Sequence, residues 1–260
     1  KYDGTWRPDL IEDGIESLCF RLVIYRLFDG VDSVRGDLER FKNLSVERFL
    51  YVSSGGVYEG IPSDDQALTE DTPVHPSQLY NVTKYASELL TQRYAVLHDI
   101  STATTRLSTP YGPMERVTGH RANQSLMKGW TGSIVRGRPI VVSDRTHRID
   151  FAYVEDIASG ICAVLDAPSL SYDVYNNGLG KWSTPDDIIK ALQQLEPDLL
   201  VREVSPSEAQ NLLPDIFPLE KDYLMDVTRM KEDVGFTAKY DLVSGLREYL
   251  NWRREYNFTE

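Results

Sequence analysis

The chain has 260 residues, 41% hydrophobic and 26% charged, which suits one sizeable folded unit with a core of its own. Its formal net charge of −12 makes a negative field that works against nucleic acid or an anionic membrane as the main partner. No apolar run reaches the roughly 18 residues of a membrane-spanning helix, and the opening Lys1-Tyr-Asp-Gly-Thr-Trp6 does not read as a signal peptide.

Chain order then gives an alternation of strands and helices. Leu22-Val-Ile-Tyr-Arg-Leu27, Arg48-Phe-Leu-Tyr-Val-Ser53, Thr102-Ala-Thr-Thr-Arg-Leu107 and Asp173-Val-Tyr-Asn176 are β-branched or aromatic runs followed by polar or glycine-bearing turns, the pattern of short buried strands. A helix is expected from about Pro76 to His98, with Tyr85, Leu89, Leu90, Tyr94 and Leu97 as its apolar stripe. Another is expected over Thr184–Leu195, capped by Thr184 or Ser183 with Asp186 and Asp187 in its first turn, and a last one over Ser244–Tyr256. Such alternation implies an α/β fold, a Rossmann-type parallel sheet with helices on both faces. Residues 113–146 change character, with glycines and prolines around short apolar runs, and read as part of a small substrate lobe over the open end of the sheet. The chain is therefore one unit over 1–260, with a core at about 1–112 and 150–178 and a lobe at about 113–149 and 179–260. Cys19 (Leu-Cys-Phe) and Cys162 (Ile-Cys-Ala) read as buried free thiols, in keeping with a reducing cytoplasm. His75, His98, His120 and His147 are scattered without ligand spacing, so no metal is expected, and His98 and His147 read as surface residues.

Two stretches carry chemistry. In Tyr80-Asn-Val-Thr-Lys84 a phenol and an ammonium one helical turn apart share a face, and the cation stabilises a phenolate that can exchange protons near neutral pH. In Val52-Ser-Ser-Gly-Gly-Val-Tyr58 an apolar strand ends in hydroxyls, where an open α/β sheet places its ligands. Each is weak alone, a surface helix pair and an ordinary strand-to-turn transition being the plain alternatives. In this order they gain specificity. Glu115, Arg116, His120 and Arg121 form a further polar cluster, either a solvated loop or a clamp for a substrate anion.

Together with Glu88, these stretches resemble the extended short-chain dehydrogenase/reductases of the epimerase/dehydratase type. Arg106-Leu-Ser-Thr-Pro-Tyr-Gly-Pro113, Arg148-Ile-Asp-Phe-Ala-Tyr-Val-Glu-Asp-Ile-Ala158 and Val174-Tyr-Asn-Asn-Gly178 are similar to later blocks of that family, so the resemblance runs from about residue 20 to the end. It implies hydride transfer at a nucleotide-sugar hydroxyl with NAD or NADP. Ser54, Tyr80 and Lys84 become the catalytic set, with Tyr80 as acid/base and Ser54 holding the reacting oxygen. Leu27, Ser53, Tyr80, Lys84 and Pro110 fall on the cofactor, and Ser54, Thr109 and Arg148 on the substrate, Arg148 one residue out of register. A homodimer through the helix bearing Tyr80 follows by the same analogy. One-way oxidation or reduction of a non-nucleotide sugar or small carbonyl compound is the alternative reaction. A non-catalytic binding or regulatory protein on the same fold is the alternative of another class.

The sequence departs from the family in places. The Gly-x-x-Gly-x-x-Gly turn that cradles a pyrophosphate is absent, since Gly14, Gly30 and Gly36 stand too far apart. A βαβ unit takes about 30 residues, so roughly 50–60 residues are expected to be missing upstream. Residues 9–19 would then be the family's third helix and 22–27 its fourth strand, and a degenerate protein that no longer binds dinucleotide is the other explanation. Tyr25-Arg-Leu-Phe28 is bulkier than the family's strand ending, and Thr109 replaces a frequent asparagine. Gly55-Gly56 stand where the dehydratase branch carries an Asp-Glu pair, which argues for epimerisation or simple oxidation and reduction over water elimination.

Overall fold

The computed structural model describes residues 20–24, 31–42, 46–61, 66–115, 125–213, 216 and 223–256. Four parallel strands form the main sheet in the order β1-β2-β3-β7, with β1 at Phe20–Ile24, β2 at Val46–Ser54, β3 at Thr102–Leu107 and β7 at Val174–Asn177. Alternation along β2 makes the sheet two-sided. Leu50 and Val52 pack with Ile157, Val164 and Leu165 of helix α4 (Val154–Asp166), whereas Phe49 and Tyr51 pack with Val34 and Leu38 of α1 (Val31–Phe41) and Tyr94 of α2 (Leu79–His98). Strand β1 begins two residues before the expected Leu22, with Leu22 opposite Phe49, and Tyr25, Leu27 and Phe28 lie outside the described residues.

A separate core cluster packs around Trp130. Helices α3 (Leu126–Val135), α5 (Pro185–Leu195) and α8 (Leu242–Glu255) share a core with β5 (Ile140–Val142) and with Tyr111 and Phe151. Those two aromatics belong to β4 (Thr109–Tyr111) and β6 (Phe151–Tyr153), a parallel pair that follows the main sheet. Strand β8 (Val201–Glu203) pairs with β5, and the short helices α6 (Pro206–Leu212) and α7 (Thr228–Glu232) complete the described elements. Helix α5 begins as expected, with a reciprocal capping box between Thr184 and Asp187. Helix α8 starts two residues before the expected Ser244, because Asp241 supplies the cap and Ser244 completes its box.

Several side chains differ from the sequence reading. Cys162 is exposed, not buried, because α4 turns Ile157, Val164 and Leu165 inward and leaves position 162 facing out. The stripe expected on α2 divides: Tyr94 is buried, Tyr85 and Leu90 half-buried, and Leu89 and Leu97 exposed. The buried side of α2 is instead polar, with Asn81, Lys84, Ser87, Glu88 and Thr91 against the strands. His147 is half-buried with Nε2 enclosed and without a hydrogen bond, so it is not a plain surface residue. Among the described residues no helix is long and apolar enough to cross a membrane, and no group of three His, Cys, Asp or Glu side chains could hold a metal.

Candidate active site

The parallel strands bring Ser54, Leu107 and Asn177 to one edge, since Ser54 lies opposite Leu107 and Leu107 opposite Asn177. Beyond Ser54 the chain turns into a single 3-10 turn, Gly55–Tyr58, and the Ser54 Oγ accepts the N–H of Gly56 at 3.1 Å. A hydroxyl that accepts from the backbone still has its own hydrogen to donate.

Tyr80 stands in the first turn of α2, and the side chain of Gln78 makes no cap there. Glu59 does the capping from across the turn, accepting the N–H groups of Ser77 and Gln78 (both 3.0 Å), the Ser77 hydroxyl (2.8 Å) and Asn81 Nδ2 (3.1 Å). These donors, the Gln78 N–H foremost, hold its carboxyl well down, at about 2.

Lys84 follows one turn later and is 2% exposed. Its Nζ donates to the carbonyl of Val52 at 2.9 Å and lies 5.2 Å from the ring centroid of Tyr51 and 5.8 Å from that of Tyr80. Burial lowers its pKa to about 8, and the Glu88 carboxylate pushes the other way. A cation is thus fixed beside a phenol at the end of the strand that carries Ser54.

Behind this set lies a buried chain of polar contacts that sequence reasoning missed. Ser53 Oγ donates to Glu88 Oε1 at 2.5 Å, and Arg106 pairs with Glu88 through Nε and Nη2, the closest contact being 2.7 Å. Arg106 Nη1 also reaches the Tyr58 hydroxyl at 2.9 Å, and that hydroxyl donates to Asn176 Oδ1 at 2.9 Å. The signal was an arginine inside a strand of threonines together with a glutamate one turn beyond Lys84. Ser53 therefore faces α2 through Glu88.

Thr109 and Pro110 are half-buried on β4, and the Thr109 N–H donates to the carbonyl of Asp150 at 3.1 Å. Arg148, two residues before Asp150, is half-buried with its guanidinium 4.9 Å from the ring centroid of Trp182. Glu115 is buried and caps α3 from outside, accepting Ser125 N at 2.8 Å and Ser125 Oγ at 2.7 Å, which removes it from the solvated-loop reading. Arg116, His120 and Arg121 lie outside the described residues.

Both glycines after Ser54 are walled in. A Cβ on Gly55 would stand 2.3 Å from Cε2 of Tyr223, and one on Gly56 would stand 2.2 Å from Oδ1 of Asn81. Neither position has room for a carboxylate side chain as the site is packed.

Residues 37–178 match the model of the NAD dependent epimerase/dehydratase family. A UDP-glucuronate 4-epimerase of Thermodesulfobacterium geofontis is 29% identical over 221 residues, covering 84% of this chain and 62% of that protein. A dTDP-glucose 4,6-dehydratase of Haemophilus influenzae is 25% identical over 215 residues, covering 79% of this chain and 60% of that protein. The solved UDP-N-acetylglucosamine 4-epimerase of Methanobrevibacter ruminantium superposes with a TM-score of 0.73 at 21% identity, over 87% of this chain and 69% of that one. The chain thus spans less than two thirds of the length of the two curated relatives.

Proposed function

Because the chain belongs to the NAD dependent epimerase/dehydratase family, we propose that it epimerises a nucleotide sugar in the cytoplasm by oxidising and re-reducing one of its hydroxyls. The observation that carries this reading is the buried ammonium of Lys84, held at the carboxyl end of β2 beside the ring of Tyr80. A phenol next to a desolvated cation gives up its proton more readily than one in water. Tyr80 takes the proton of the sugar hydroxyl and later returns it, while the Ser54 hydroxyl donates to the same oxygen and holds it. Lys84 keeps the phenolate form of Tyr80 accessible.

The nicotinamide end of a dinucleotide fits the donor set present. The Lys84 ammonium and the Tyr80 phenol would face its ribose, with Ser53 and Pro110 nearby. When bound, NAD supplies the acceptor and donor of hydride. The sequence of 260 residues has no Gly-x-x-Gly-x-x-Gly turn for the pyrophosphate, so the fit is confined to that end. Thr109 on β4 and Arg148, three residues before β6, would line the substrate side.

The closed surroundings of Gly55 and Gly56 support epimerisation over 4,6-dehydration, since elimination of water needs an acid and a base beside the reacting carbon. The test is incubation of the purified protein with UDP-glucose, UDP-glucuronate or UDP-N-acetylglucosamine and NAD, followed by NMR of the sugar. A 4-epimer formed without net reduced cofactor supports the reading; net reduction points to a one-way dehydrogenase, and no change in any sugar overturns it.

Two copies pairing through α2 also fit. Val82, Leu89 and Val96 recur at heptad spacing on its outward face, flanked by Leu79, which is 80% exposed, and by Leu97. Light scattering of the protein and of a Leu89→Lys variant tests this, with a monomer for both counting against it.

A further inference from the structure

Glu88 does not face the reactants, yet it is among the most enclosed charges in the fold, at 1% exposed. Its carboxylate takes the Ser53 hydroxyl on Oε1 and Arg106 on both oxygens, at 3.1 Å and 3.2 Å from Nε and 2.7 Å from Nη2. Arg106, at 4% exposed, is fixed in turn by the Tyr58 hydroxyl and by the carbonyl of Glu70 at 3.3 Å. An ion pair buried so deeply is costly to desolvate, and an apolar pair of the same volume would stabilise the core at least as well. Its place between α2 and β3 fits a task other than packing.

Two contacts indicate that task. Ser53 is the neighbour of Ser54 in β2, so a bond of 2.5 Å on Ser53 pins the last turn-free residue before the reacting hydroxyl. Lys84 precedes Glu88 by one helical turn, so the carboxylate and the ammonium share the buried face of α2. The groups around Lys84 include the Val52 carbonyl and Tyr51 ring from β2, and Tyr80 and Glu88 from its own helix; Glu88 in turn meets Ser53 of β2 and Arg106 of β3.

We propose that Glu88 is a positioning residue, whose buried carboxylate holds Ser53, and through it Ser54, in register and sets a negative charge on the same buried helix face as the Lys84 ammonium. The proposal rests on the epimerase reading for its consequence in turnover, but its electrostatic half stands on this chain alone. Burial drives Lys84 toward the neutral form and Glu88 opposes this, so without the carboxylate the ammonium loses its proton at lower pH.

The experiment is a 15N NMR titration of the lysine Nζ groups in the purified protein, with Lys84 assigned by its disappearance in Lys84→Arg. In Glu88→Gln the Lys84 titration should move down by about one pH unit or more, as expected for loss of an opposite charge nearby. Should the unpaired Arg106 keep that variant from folding, Glu88→Gln/Arg106→Met removes both charges and should still move the Lys84 titration down, by less than the single variant because the repelling Arg106 cation is gone as well. Ser53→Ala should leave the Lys84 titration in place but lower kcat about tenfold or more, with KM little changed. The alkaline limb of kcat/KM should follow Lys84 downward in Glu88→Gln. An unmoved Lys84 titration, or a loss of activity equal at every pH and matched by a lowered Tm, overturns the proposal. The titration needs neither substrate nor cofactor. A shifted Lys84 in a protein that alters no nucleotide sugar would therefore uphold the electrostatic role and overturn the epimerase reading.

Discussion

A methyl group placed on Gly56 would lie 2.2 Å from Oδ1 of Asn81, the residue that follows Tyr80 in α2. Asn81 is buried and donates to Glu59, so it has little freedom to retreat. The close approach of strand end and helix start depends on glycine there, and Gly55 stands in the same relation to the ring of Tyr223. Gly55→Asp and Gly56→Glu should each destabilise the fold by about 1–3 kcal/mol, the usual cost of overpacking. Neither should confer loss of water from a nucleotide sugar. Thermal unfolding and mass spectrometry of the products check both parts, and a 4-keto-6-deoxy sugar made by the unaltered protein would refute the reading of this site.

Tyr80→Phe removes one hydroxyl and leaves the ring beside Lys84. Turnover should fall by roughly 10²–10⁴, the range of a general acid–base group, with an unchanged circular dichroism spectrum. Activity within a few-fold of the unaltered protein would take Tyr80 out of the proton transfer.

The pH dependence follows from Lys84. Its pKa in the fold is about 8, below the 10.5 of a free lysine, chiefly through burial. The cation that assists Tyr80 is therefore present below about pH 8 and lost as pH rises through that value, so kcat/KM should decline on the alkaline side from there. The stability term has the opposite sense: between about 8 and 10.5 the unfolded chain binds the extra proton, and this group makes folding more favourable as pH rises. A rate profile flat to pH 10 would show that the Lys84 charge is not needed.

Cys162 faces solvent on α4, away from Ile157, Val164 and Leu165. It should react quickly with a thiol reagent in the native protein, peptide mapping should find label on Cys162, and Cys162→Ser should remove that labelled site while changing stability by no more than about 0.5 kcal/mol. A thiol that reacts only after denaturation would contradict its placement.

The elements that a sequence makes visible are those whose signal is local. The strand Thr102–Leu107 and the cap of α5 at Thr184 are legible because a β-branched run, buried almost throughout, and a capping box are written into adjacent residues. That Lys84 lies beside Tyr80 against the strand of Ser54 is legible from spacing and from the resemblance to a family. The inward face of α2 is not. Its leucines form a pattern that suggests a core, but the strands it meets present Ser53 and Arg106, so Lys84 and Glu88 turn inward and Leu89 and Leu97 turn out. Partners far apart in the chain, such as Tyr58 with Asn176 or Gly55 with Tyr223, leave no periodic trace either. Cys162 was misread because two apolar neighbours in sequence do not lie on one side of a helix.

Glu59 offers a test of how the first turn of α2 is held. Gln78 gives that helix no side-chain cap, and Glu59 collects the donors of Ser77, Gln78 and Asn81 instead. The Gln78 N–H, then Asn81 and Ser77, lower its carboxyl to about 2 from an ordinary 4.5. A carboxylate lowered in the fold adds stability that is fully present above the unfolded value and disappears as pH falls through the folded one. Glu59→Gln should therefore melt earlier than the unaltered protein at pH 7, with the two curves converging as pH is lowered from about 4.5 toward 2. Because Tyr80 stands in the turn that Glu59 caps, the same variant should lose turnover at pH 7, and restoring the charge with Glu59→Asp should recover part of both effects. Calorimetric melting across that pH range and a turnover assay are sufficient. Equal melting temperatures at pH 7 would mean that water or another side chain caps α2 just as well, and that the position of Tyr80 does not depend on Glu59.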